Sequence, residues 1–118
     1  MSDTAIFAGG YQDLRDCAKR VDRLLLEAQA GSPLSEEAVR PVADLLEALQ
    51  QERTAARSVQ YLGLVWRRHA HIEPQRLPRM VAELRQYKLS AETLAELERL
   101  AASLDQERAE MLLRIRGV

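Results

Sequence analysis

Three kinds of side chain in this 118-residue sequence could do chemistry: two histidines, one thiol and several carboxylate pairs. His69 and His71 stand two residues apart, so on a helix they point about 200° away from each other and cannot share a metal ion. His69 and Glu73, four apart, meet only if the helix continues that far. Structural zinc takes four ligands, usually several of them thiolates, and Cys17 is the only cysteine. These residues therefore read as a polar helix end, and neither a metal nor a cofactor is expected. Cys17 falls in register with Leu14, Ala18 and Val21, which suits a buried thiol better than a nucleophile beside a base. Glu36 and Glu37 follow Ser35, where carboxylates complement the start of a helix. The sequence carries no glycine-rich phosphate loop, HExxH motif or nucleophile elbow. No catalytic residue is expected, and the chain reads as a non-enzyme.

Two further segments bear on binding. Arg67, Arg68, Arg76, Arg79, Arg85 and Lys88 share a window with only Glu73 and Glu83, a local excess of four positive charges. Such a stretch suits a solvated face first, an acidic partner second and nucleic acid last, since no helix-turn-helix geometry is evident. From Tyr61 through Leu62, Gly63, Leu64 and Val65 to Trp66, apolar side chains point to every side of a helix. One helix of a small bundle hides about half its circumference, so this segment implies an interface. Tyr61, Leu62, Leu64, Val65 and Trp66, with Arg67 and Arg68 at the rim, are the expected protein-interface residues.

The elements that position these residues are helical. Leu occurs 19 times and Ala 17, against 5 Gly, 4 Pro and five aromatics, a composition that disfavours any large sheet. The net charge of −1 gives no bulk drive toward nucleic acid. No run approaches the length of a membrane span, and Met1–Gly10 has neither a basic n-region nor a long apolar stretch. With a single cysteine and no such leader, the expected compartment is the cytoplasm.

Residues 1–10, closing on Gly9-Gly10, read as a flexible arm in which Phe7 could dock; residues 11–118 read as a single helical domain. The first helix is expected from Gln12 to Ala30, with Gly31 as its left-handed end and Ser32-Pro33 beyond. The second starts after the cap Ser35, meets a kink or a broken first turn at Pro41, and if unbroken runs for about 36 residues, roughly 54 Å. A short helix from Pro78 to Leu89 follows, then a last one from the cap Ser90 to about Arg116. The fold class is thus all-α: four helices in two hairpins, one of them long.

At an offset of 55, Ser35 matches Ser90, Leu45 matches Leu100, and Gln51-Glu52-Arg53 matches Gln106-Glu107-Arg108. Duplication of a hairpin and convergence of two capped amphipathic helices both explain this. Each triplet interrupts an apolar stripe at the same depth, where its Glu and Arg could pair across an interface or snorkel to solvent; at least one set is expected to snorkel.

In layout, the arm, the four helices, the near-neutral charge and the aromatic-rich segment resemble the small antiactivators of LuxR-type quorum-sensing regulators. The resemblance extends over the whole chain and rests on no diagnostic motif, so no site residue carries over. It implies a regulatory protein that binds a transcriptional regulator and blocks its dimerisation or DNA binding. The reading adopted is a non-catalytic binder of a folded partner, itself a homodimer. The alternatives are a helical secretion chaperone or adaptor, and a small nucleic-acid-associated protein.

Overall fold

A computed structural model describes the backbone of residues 3–53 and 56–116, and the side chains of those spans from Gly10 onward. The described residues form helices joined by short connections, without strands: α1 Asp3–Gln29, α2 Glu36–Gln50, α3 Arg57–Val65, α4 Leu77–Arg85 and α5 Ala91–Ile115. A π-helical turn, Trp66–Ala70, prolongs α3, and a 3₁₀ turn, Pro74–Arg76, leads into α4. No described helix is long and apolar enough to cross a membrane.

Both predicted caps form. Ser35 Oγ accepts from the Ala38 N–H at 3.2 Å, and Ser90 Oγ accepts from the Thr93 N–H at 3.1 Å. Gly31 takes the left-handed conformation at the end of α1, with φ +73°. Pro41 lies within α2, which continues through it to Gln50.

Three features depart from the sequence reading. The expected arm is already helix, since α1 begins at Asp3. Gly10 is buried where α1 meets α3, and a Cβ there would stand 2.5 Å from Tyr61 Oη. This glycine therefore permits a close approach rather than ending a helix. The docking considered for Phe7 lies outside the described side chains.

The expected long second helix is broken between Gln50 and Arg57. Glu52 adopts φ 55°, its N–H bonds Leu49 O, and the Arg53 N–H bonds Ala48 O at 2.8 Å. That paired pattern is a Schellman end with glutamate where glycine is usual. The two longest helices are accordingly α1 and α5.

Helix pairing is the third departure. α5 lies along α1 and α4 packs on α2, so the closest pairings join the two expected hairpins to each other. α3 sits among α1, α2 and α5. Leu14, Leu24, Leu46, Leu62, Met80, Leu84, Leu97, Leu100 and Leu104 are essentially fully buried and form the core. Each such side chain contributes about 1.5–3 kcal/mol by leaving water.

Candidate functional site

The segment from Tyr61 to Arg68 occupies the middle of the fold. Leu62, Gly63, Val65 and Trp66 are buried, Tyr61 and Leu64 are half-buried, and Arg67 and Arg68 are exposed. The surplus of apolar surface inferred from sequence is absorbed by the chain itself. The physical reason is the broken second helix: a short α3 is surrounded by α1, α2 and α5, whereas one face of an unbroken 36-residue rod would have stayed open. The interface assigned to Leu62, Val65 and Trp66 thus loses the argument that placed it there.

The basic stretch is largely answered from within. Arg76 holds Glu96 Oε1 at 3.0 Å through Nε and 2.7 Å through Nη2, and reaches Glu92 at 3.0 Å. Arg85 spans to α2, with Nη2 at 2.8 Å from both Asp44 Oδ1 and Glu47 Oε2. Arg79 pairs with Glu83 at 3.3 Å, and Arg68 faces Glu107 at 3.6 Å. Four of the six cations are therefore spent on carboxylates of the same fold, which removes most of the field that nucleic acid would need. The hydrogen bonds they donate to Glu96 and Glu47 also hold Arg76 and Arg85 further into their charged forms.

His69 and Glu73 do not meet as helical neighbours. His71 turns left-handed at φ 53° and ends the π turn, leaving Glu73 beyond the helix. His69 instead reaches α5, where its Nε2 lies 2.6 Å from Glu107 Oε2. Glu107 is 1% exposed, so the second Gln-Glu-Arg triplet does carry a paired buried charge. The first triplet is exposed. The stripe position of Glu107, between Leu104 and Met111, was visible in the sequence; its partner, 38 residues upstream, was not.

Cys17 is fully buried and its Sγ lies 3.7 Å from Ser58 O. Burial pushes the thiol up to about 11, so the reactive thiolate is scarce at neutral pH.

One feature escaped the sequence reading. An open groove of about 240 Å³ lies at the end of the fold where the α1–α2 and α4–α5 connections come together, lined among others by Ala28, Pro33, Leu34, Tyr87, Leu89 and Leu94. Tyr87 is 44% exposed and stands at φ 58°. Its N–H bonds Leu84 O at 3.0 Å and the Lys88 N–H bonds Glu83 O at 3.1 Å, a Schellman end with tyrosine at the left-handed position. A left-handed residue bearing a side chain costs about 1–2 kcal/mol. Nothing in the local sequence signals it, since glycine is the usual mark of such a position.

Comparison of the chain with protein-family models, with curated proteins and with solved structures finds no match.

Proposed function

We propose that this chain acts by stoichiometric, non-catalytic binding of a folded protein partner, with the Tyr87 groove as its docking surface. The observation that supports this is Tyr87 itself, an aromatic held in a strained backbone conformation at the edge of an apolar groove. Strained backbone positions cluster at functional sites, and tyrosine, unlike the glutamate at the equally left-handed Glu52, is among the residue types that anchor interfaces.

The partner class comes from the resemblance in layout: a transcriptional regulator of the LuxR quorum-sensing type, met in the cytoplasm and kept from dimerising or from binding DNA. Homodimerisation through the same groove would compete with that partner, so dilution would raise the binding-competent fraction. A secretion chaperone would use the same groove for an amphipathic segment of an unfolded client.

Titration of the purified protein into the folded ligand-binding domain of a LuxR-type receptor from the same organism separates these readings. The antiactivator reading predicts saturation at fixed stoichiometry with the folded domain. Binding only to an unfolded client, or a steep salt dependence with DNA in place of protein binding, would sink it.

A further inference from the structure

The polar cluster between the π turn and α5 carries an inference that does not rest on the partner. One ring nitrogen of His69, one carboxylate oxygen of Glu107 and one of Glu110 all lie within 4.8 Å of one another. Glu107 and Glu110 are three residues apart on α5 and so share a face. The π turn brings His69 to that face, and π turns inside helices recur at functional positions. Glu107 is buried to 1% exposure, with its Oε1 facing Arg68 at 3.6 Å and its Oε2 facing His69. His69 and Glu110 are half-buried and open the cluster toward solvent. Among the described residues, Glu110 itself has only a 3.5 Å contact from Gln106 Nε2.

We propose that His69, Glu107 and Glu110 bind a divalent transition-metal ion of the zinc type. One imidazole with two carboxylates suits zinc better than magnesium or calcium, which take all-oxygen sets. Bonds of about 2.1 Å to Nε2 and Oε2 at a tetrahedral angle would set those atoms about 3.4 Å apart. The present 2.6 Å pair therefore opens by less than the width of an atom, while Glu110 closes in from the solvent side and water completes the shell. Where Glu107 is ionised it only accepts, and Nε2 is the donor of the His69–Glu107 bond. On binding, the ring changes tautomer: the Nε2 proton is released to solvent, Nδ1 takes one up, and the neutral imidazole offers its Nε2 lone pair to the metal. Arg68 stays on Oε1, and two carboxylates against one guanidinium leave net negative charge for the cation.

Tag-free, chelator-treated protein titrated with zinc chloride in a calorimeter tests this, with cobalt(II) absorption reporting the coordination shell. The expected result is one ion per chain, a raised thermal midpoint and no comparable response to magnesium. Glu110→Gln, at the solvent edge, should weaken zinc binding at least about tenfold while leaving the metal-free midpoint unchanged. His69→Gln, which retains a donor for Glu107, should abolish it. Absence of zinc binding by the parent protein, or equal affinity in both variants, overturns the proposal and leaves the His69–Glu107 contact as a structural hydrogen bond alone.

Discussion

Ser35 donates to Glu27 twice, through its backbone N–H to Oε1 and through its hydroxyl to Oε2, each at 2.8 Å. Glu83 repeats the arrangement at the second capped helix, accepting from the Ser90 N–H at 2.6 Å and from the Thr93 hydroxyl at 2.8 Å. In both places a glutamate of the preceding helix secures the serine cap of the next. The spacing is eight residues in the first case and seven in the second. The left-handed residues Gly31 and Tyr87 differ in the same way relative to those caps. One residue fewer in the second connection puts Glu27 with Glu83 and Gly31 with Tyr87 at an offset of 56, while the capped helices match at 55.

These bonds predict an acid-side loss of stability. The Ser35 N–H and then its hydroxyl hold the Glu27 carboxyl below its usual 4.5. Burial pushes Glu83 up, but the bonds from Ser90 and Thr93 outweigh it and its carboxyl also ends low. A group more acidic folded than unfolded contributes fully above its unfolded value and loses that contribution as pH falls through the folded one. Thermal midpoints should therefore hold down to about pH 5 and fall below about pH 4.5. Glu27→Gln/Glu83→Gln should start lower at neutral pH and fall less steeply; an identical acid profile would count against this account.

The buried charge at Glu107 makes a cycle of variants informative. His69→Ala leaves Glu107 with only the half-exposed Arg68 and should cost about 3 kcal/mol in urea denaturation. Glu107→Leu removes the charge itself and should be near neutral. The double variant should recover most of the loss, because no buried carboxylate then remains. Simple additivity of the two single effects would show that the residues do not act as a pair.

Cys17 should behave as a core side chain. With its thiol at about 11 and no exposure, it should react with thiol reagents only as fast as the chain opens. Cys17→Ala should cost about 1–2 kcal/mol and leave binding intact. Rapid labelling of the native protein would contradict this placement.

Helix class, caps and most of the core were legible because they follow from local chemistry. Ser35 and Ser90 announce their helices, and the stripe Leu97, Leu100, Leu104 and Met111 is buried as its spacing requires. Helix ends were less legible where a residue other than glycine turns left-handed. Glu52, His71 and Tyr87 do so, and without a glycine or a following proline the break after Gln50 left no mark. The expectation of an open apolar face at Tyr61–Trp66 follows from that missed break. Partners distant along the chain, such as His69 and Glu107 or Arg85 and Asp44, depend on packing that no local pattern encodes.

Glu52 offers a clean test of these strained ends. Glu52→Gly relieves the left-handed conformation at an exposed position, so stability should rise by about 1 kcal/mol. Partner affinity should not change. A loss of stability would mean that the glutamate side chain contributes more than its backbone costs.

The same relief at Tyr87 should have the opposite functional result. Tyr87→Gly should keep or raise the thermal midpoint, since glycine tolerates the left-handed position, while removing the aromatic edge of the groove. Affinity for the folded LuxR-type domain, measured by calorimetric titration beside Glu52→Gly, is the most direct measurement. The account predicts a loss of about 2 kcal/mol, roughly thirtyfold, for Tyr87→Gly alone. A folded Tyr87→Gly variant that binds with undiminished affinity would show that the groove is not where the partner docks.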